Sequence, residues 1–404
     1  MKILKDIKPT AKERQKVKRI IESVLKKIKI DEAKFELGGS YAKNTFLKGN
    51  HDVDVFVKFP YKKYKDKDIS EILNKRLSRK HKRVHGSRDY FQLKKKGYTF
   101  EFIPVLNIKD SSYAKNITDV SLLHKKWVKK HLRKPDEVRL LKKFCRAQGV
   151  YGAESYIKGF SGYVLEILTI HYGTFFDSIK AISRWKLPVY IDLNKFYRSR
   201  KDAFKKINKS KRVNELIIVD PTQKDRNASA AISKDKINSL IKACKEYLHN
   251  PSDEFFLEKR LMIKDLVVES GENILLLGKI KAMKGKKDVV GSKIVKIYDY
   301  IEKQLKKHDF EVMKSNWHFN KDSLIYYIIK DEILSEKIIH RGPPLKQKRH
   351  VKEFKEKYKD HTINKGTLYV KLDREAKTLK EFVKKLRRNS YIKSNIRKIK
   401  FKLM

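Results

Sequence analysis

Gly38-Gly-Ser-Tyr-Ala-Lys-Asn-Thr-Phe-Leu-Lys-Gly-Asn-His-Asp-Val-Asp-Val-Phe-Val-Lys-Phe59 is the stretch that decides the fold. Its second half alternates over 51–59. Val53, Val55, Val57 and Phe59 point to one side of a strand, and Asp52, Asp54, Phe56 and Lys58 to the other. Its first half is a Gly38-Gly39-Ser40 turn, with a short strand before it at 34–37 and a helix beginning near Tyr41. Upstream, Val17, Ile20, Ile21, Val24, Leu25 and Ile28 recur at helical spacing, behind Thr10 and Glu13 at the spacing of a capping box. Downstream, 98–103 reads as another strand, stopped by Pro104. Strand, glycine turn, helix and strand in this order make a small mixed α/β domain.

One residue apart in a strand, Asp52 and Asp54 project from the same face about 6.5–7 Å apart at the backbone. That spacing lets both bind one magnesium ion and lets one bridge to a second about 3.5–4 Å away. Alone, the pair reads more simply as two solvated carboxylates on an edge strand. Gly39-Ser40 sits between a strand and a helix, where free N–H groups and the helix dipole suit an anionic triphosphate. Ser40 adds a hydroxyl donor and Lys43 a positive charge. Alone, this too reads as a plain tight turn with a serine cap. A phosphate cradle followed so closely by a two-carboxylate strand is a minimal nucleotidyltransferase site. Glu101 supplies the third carboxylate, because Tyr98, Phe100 and Phe102 take one face of their strand and leave Glu101 on the other. Its expected work is to hold, with Asp52 and Asp54, the metal that activates an attacking hydroxyl.

Around this core the chain is strongly basic: 99 Lys and Arg face 48 Asp and Glu, a net charge of +51 over 404 residues. A polyanion partner is the natural reason, and nucleic acid the natural polyanion, although a lysine-rich proteome explains part of the excess. The apolar fraction of 40% is enough for real cores, and the length calls for more than one. Cys145 and Cys244 are far apart and without partners at metal-ligand spacing, which fits a reducing cytoplasm and argues against disulfide or zinc scaffolds. The first residues lack the apolar run of a signal peptide, and 159–177, the longest nearly uncharged stretch, carries Glu166 and His171 and is too mixed to span a bilayer. The expectation is a soluble protein with no membrane association. No Gly-x-x-x-x-Gly-Lys-Ser/Thr run occurs, which disfavours P-loop and kinase chemistry.

After Pro135 helical periodicity takes over at 138–147, 163–171 and 234–248, with a short extended link at 188–194. Beyond Asn250-Pro251 the pattern mixes. Helices are expected at 255–268 and 292–305, and strands at 273–280, 323–329 and 367–371. A turn at Arg341-Gly-Pro-Pro344 leads into lysine-crowded segments. The run 380–402, with Phe382, Leu386, Tyr391 and Ile396 between charges, reads as part of a basic RNA-facing surface or as a solvated tail. The expected divisions are 1–133, 134–250 and 251–404.

The opening stretch closely resembles the signature of the archaeal, class I CCA-adding enzymes. Later segments match in order: Glu101-Phe-Ile-Pro104, Ser121-Leu-Leu-His124 before Lys-Lys-Trp127, Val138-Arg-Leu-Leu-Lys-Lys-Phe144, Gly149-Val-Tyr-Gly-Ala-Glu154, Gly159-Phe-Ser-Gly-Tyr163, Val219-Asp-Pro-Thr with Arg226-Asn227, and Gly342-Pro-Pro344. The resemblance implies an α+β multidomain protein: a polymerase-β-like nucleotidyltransferase head, a helical neck that binds the nucleotide base and the RNA 3′ end, and an α+β body with a basic tail that binds tRNA. It implies Asp52, Asp54 and Glu101 as ligands of Mg2+, with Glu101 standing where the family normally has Asp. It implies Gly39, Ser40, Lys43, His124, Lys142 and Tyr151 as triphosphate and ribose contacts, with Lys43 where Arg is usual. Arg226 matches a side chain that helps read the incoming base.

Read without the resemblance, His124 fits a capping or core histidine, Lys142 one lysine among many, Tyr151 ordinary packing and Arg226 a turn former. With it, the expected activity is template-independent addition of C, C and A to tRNA from CTP and ATP, gripping the acceptor stem and T-arm by shape. A homodimer stays open. So do a poly(A) polymerase-like transferase and a catalytically inactive RNA-binding module, although all three acidic positions are kept.

Overall fold

The computed structural model describes residues 2–404 apart from 27, 29, 31, 78–80, 259, 260 and 320–322, and the chain divides into two compact units after residue 259. In the first unit β1 (Lys34–Leu37), β2 (Asp52–Pro60), β3 (Lys82–Val84), β4 (Tyr90–Lys95) and β5 (Tyr98–Asn107) form one sheet in the order β1-β2-β5-β4-β3. β2 and β5 run parallel at its centre, and the other pairings are antiparallel. Val53, Val55, Val57 and Phe59 are fully buried with Phe91, Phe100 and Phe102 against Val17, Ile20, Ile21 and Val24 of the Ala11–Leu25 helix. At roughly 1.5–3 kcal/mol for each large apolar side chain, that layer holds the sheet and helix together. The helix begins at the Thr10/Glu13 capping box, both reciprocal hydrogen bonds being present, and ends at Leu25, short of Ile28.

β5 does not stop at Pro104 but runs on to Asn107. Backbone N–H groups alternate between the two edges of a strand. Thr99 donates towards β2, to the His51 carbonyl at 2.8 Å, so the nitrogen at 104 faces the β4 edge. There the ladder has already ended at Phe91–Phe102, and no hydrogen bond is lost to proline.

The rest of this unit packs the Pro135–Ala147, Gly162–Tyr172, Phe175–Ser183 and Lys234–His249 helices around Leu141, Phe144, Leu165, Phe175, Leu240 and Phe256. Ile3 and Ile7 of the Lys2–Ile7 helix join this second core. The region is not helical alone. β6 (Val189–Ile191), which is the expected extended link, β7 (Leu216–Asp220) and β8 (Gln223–Asn227) form a three-stranded sheet. Every residue of β7 is buried, so its Leu-Ile-Ile-Val run shows no alternation. The helix expected over 255–268 is instead a 3-10 turn at Asp253–Phe256 and a helix at Ile263–Ser270, with 259 and 260 outside the described residues.

In the second unit β9 (Ile274–Lys281), β10 (Val312–His318), β11 (Ser323–Ile329), β12 (Lys337–Pro344), β13 (His361–Asn364), β14 (Thr367–Asp373) and β15 (Lys398–Leu403) make two sheets, ordered β10-β11-β9-β15 and β12-β14-β13. The Lys287–Lys307 helix packs Ile294, Ile297, Ile301 and Leu305 on the first. Two expectations fail here. Arg341–Pro344 is not a turn but the end of β12, an edge strand whose register slips between Arg341 and Pro344, where two prolines are tolerated. Gly342 lies under the Phe354 ring, and a Cβ there would come within 2.6 Å of it. Nor is 380–402 a solvated tail. Phe382, Val383, Leu386, Ile392 and Ile396 are buried in the second unit's core, and β15 adds a strand to its sheet. Tyr391, in contrast, is 43% exposed. Among the described residues no helix is long and apolar enough to cross a membrane.

Candidate active site

Three sets of expected residues come together in the first unit, each around an acid. In the first set, Asp54 and Glu101 are direct neighbours in the parallel β2/β5 register, and Asp52 stands beside Thr99 on the same face. Further along that face Phe56 is covered together with Val105 and Leu122, so the carboxylates mark its open end. Burial, then the charge of Glu101 and, more weakly, that of Asp52, push the Asp54 carboxyl up to about 6, against the pull of Lys43. Gln92 on β4 donates to Glu101 Oε1 at 2.7 Å. Among the described residues no three His, Cys, Asp or Glu are drawn in to ligand distance of one point. The donors are nonetheless hard carboxylate oxygens that repel one another, which is the chemistry a divalent cation relieves.

The glycine turn closes over this corner. Gly39 has φ +54°, and a Cβ on it would lie 1.6 Å from Asp54 Oδ2. The Gly38 N–H donates to the Asp54 carbonyl at 2.9 Å, and Asn50 Nδ2 reaches Ser40 Oγ at 3.4 Å.

The second set surrounds Glu166. Lys43 Nζ donates to its Oε2 at 2.5 Å, Lys142 Nζ to its Oε1 at 3.3 Å and Thr45 Oγ1 to the same Oε1 at 2.7 Å. Lys142 also reaches the Thr45 carbonyl at 3.2 Å and hydroxyl at 3.0 Å. Burial alone would raise the Glu166 carboxyl, yet the two ammonium groups and the Thr45 hydroxyl hold it below its ordinary value. Burial drives Lys142 down to about 8 in spite of Glu166. Tyr151 belongs here too: a Cβ on Gly162 would be 3.2 Å from its hydroxyl and 3.5 Å from Lys142 Nζ. The Tyr151 ring carries the Arg146 guanidinium at 4.9 Å.

The third set surrounds Asp220 at the end of β7. His124 Nε2 lies 2.9 Å from Oδ2, the Tyr163 hydroxyl donates to Oδ1 at 3.0 Å, and Arg226 Nη1 donates to Oδ2. His124 also stacks on the Tyr163 ring, with centroids 4.1 Å apart at 24°. Tyr163 links the sets, because Lys43 Nζ stands 5.9 Å from its ring centroid and Glu166 is one turn further along the same helix. The expected His124, Lys142 and Arg226 are therefore all tied to buried acids that the sequence reading did not single out: Glu166, with no exposed surface, and Asp220, likewise. A signal existed. A lone Glu inside Gly-Tyr-Val-Leu-Glu-Ile-Leu-Thr-Ile must find cations if that helix is buried.

Family comparison gives three successive matches. Residues 17–145 match the nucleotidyltransferase domain, 136–257 the second domain of tRNA nucleotidyltransferases and 281–399 the C-terminal domain of CCA-adding enzymes. The chain is 34% identical over 312 residues to a CCA-adding enzyme of Nanoarchaeum equitans, covering 76% of each chain. It is 32% identical over 377 residues to that of Methanosarcina barkeri, covering 88% of this chain and 80% of the relative. Among solved structures, the Cid1 poly(U) polymerase with bound Mg 3′-dATP aligns at 13% identity and a TM-score of 0.49, over 64% of this chain and 97% of that one.

Proposed function

This chain belongs to the archaeal CCA-adding enzymes, and from that premise we propose how its own side chains carry out template-independent addition of C, C and A to the 3′ end of tRNA. Its substrates are tRNA and nucleoside triphosphates, and it uses a divalent metal. Magnesium is the ion proposed, held by Asp52, Asp54 and Glu101. When bound, it acidifies the attacking 3′-hydroxyl and neutralises charge on the reacting phosphates.

The protein's own part is binding, orientation and charge. Gly39 and Ser40 cradle the triphosphate with backbone N–H groups and a hydroxyl. Lys43, Lys142 and His124 neutralise the departing pyrophosphate, and Tyr151 borders the sugar. Arg226, oriented by Asp220, presents its guanidinium edge to the incoming base. The expected division into head (1–133), neck (134–250) and body (251–404) is retained as a proposal: each has a core of its own, with Ile3, Ile7 and Leu47 of the head range and Phe256 of the body range packed into that of the neck. The basic second unit would grip the acceptor stem and T-arm through phosphates and 2′-hydroxyls. Cys145 and Cys244, both free and buried, fit a reducing cytoplasm.

The observation that carries this reading is the parallel pairing of Asp54 with Glu101 beneath the Gly39 turn. Replacing Asp54→Ala should abolish nucleotide addition while leaving tRNA affinity within about twofold, since phosphate contacts elsewhere dominate binding. Addition by that variant at the wild-type rate would refute the site.

A further inference from the structure

The Gly162–Tyr172 helix buries Val164, Leu165, Ile167 and Leu168, and with them one acid, Glu166. A single buried carboxylate there faces two ammonium groups, one on each oxygen. Two cations against one anion leave the cluster one negative charge short, and a low-dielectric site magnifies that deficit. An anionic ligand would supply the missing charge, and two members of the cluster, Lys43 and Thr45, lie on the chain that runs directly on from the Gly39-Ser40 turn.

We propose that Glu166 is a positioning residue for the incoming nucleotide: it holds Lys43 and Lys142 together as a charged pair whose excess positive charge is completed by the triphosphate. This rests on reading Lys43 and Lys142 as triphosphate contacts. Lys142 is the vulnerable member. It is buried, and among the charged groups around it Lys43, from the segment after the Gly39–Ala42 turn, and Arg146, on its own helix, both oppose its protonation. Glu166 is the group that sustains it, with the Thr45 carbonyl and hydroxyl as neutral acceptors. Without that carboxylate, burial, Lys43 and Arg146 would all oppose the proton on Lys142, and a deprotonated amine would present a lone pair to a phosphate. Thr45 offers no replacement charge.

The test is steady-state addition of CTP to tRNA lacking its last three nucleotides, followed across pH. In the wild type, kcat/KM for CTP should fall above about pH 8 as Lys142 loses its proton. In Glu166→Gln the alkaline limb should move down by about one unit and the KM for CTP rise roughly tenfold at neutral pH, with kcat changing less. Loss of activity with the limb unmoved would mean that Glu166 only supports the fold, and the inference would fall. Lys142→Met separates the two readings. A raised KM there keeps Lys142 at the triphosphate whatever Glu166 does, and an unchanged KM removes the premise. If Glu166→Gln does not fold, as judged by its circular dichroism and thermal melt, Glu166→Asp keeps the charge but withdraws its oxygens. Its limb should stay near the wild-type position while KM rises, and a limb displaced as far as expected for the neutral variant would overturn the inference.

Discussion

Gly39 and Asp54 occupy space that admits no side chain between them: a Cβ on Gly39 would stand 1.6 Å from Asp54 Oδ2, and the backbone at Gly39 has φ +54°. The turn that is expected to cradle phosphate and the carboxylate expected to hold metal are thus in direct contact. Gly39→Ala must displace the carboxylate and also occupy a left-handed conformation, at a cost of roughly 1–2 kcal/mol. A misplacement of about 1 Å at reacting groups can cost on the order of a hundredfold in rate. Gly39→Ala is therefore expected to lower kcat for CTP addition by about that factor, with a modest fall in melting temperature. Unchanged kcat would show that Asp54 is not placed by the turn.

Asp220 orders the other end of the site. Burial alone would raise its carboxyl. The hydrogen bond and charge of His124, the Arg226 guanidinium and the Thr222 N–H outweigh burial and hold it well below the usual carboxylate range. A depressed folded-state value gives stability that is complete above the unfolded value, about 3.9, and is lost as pH falls through the folded one. Asp220→Asn should cost roughly 3 kcal/mol at neutral pH, because it leaves buried donors facing an amide. The difference from wild type in denaturant titrations should be present at neutral pH and should shrink below about pH 4, as Asp220 in the unfolded wild type takes up its proton. A difference that grows in acid would contradict the ion pairing.

In the second unit, charge and core can be tested on one helix. Phe382 is 2% exposed and meets the Phe310 ring at 5.5 Å, whereas Lys384, two residues on, is exposed. Phe382→Ala should destabilise the unit by about 3–5 kcal/mol in urea titrations. Lys384→Ala should leave stability unchanged. If it touches RNA, it should also lower the slope of log affinity for tRNA against log salt by about one. A Phe382→Ala variant as stable as wild type would restore the picture of a solvated tail.

Much of the head was legible because β2 alternates. Its apolar and acidic faces are written residue by residue, and both faces appear in the structure as read. Pro104 was misread because a proline stops a strand only where its nitrogen faces a partner, and that depends on which neighbour has already ended. β7 was missed since a strand buried on both faces has no period. At 379–388 the Leu379, Phe382, Val383 and Leu386 stripe does carry helical spacing, but six charges interleaved with it made the segment read as an RNA-facing surface or a solvated tail and hid its part in the core. The site residues drawn from the family signature come together in the first unit. Their counter-ions, Glu166 and Asp220, were not readable as partners, because which cation a buried acid meets depends on contacts between segments up to 123 positions apart.

Sequencing the 3′ ends of products is the most direct trial of the central claim. Wild-type protein is supplied with tRNA trimmed of its last three nucleotides, a divalent metal, CTP and ATP. Two cytidines followed by one adenosine, and then no further growth, is the outcome expected here. Long runs of a single base, or ends left as they began, would contradict it.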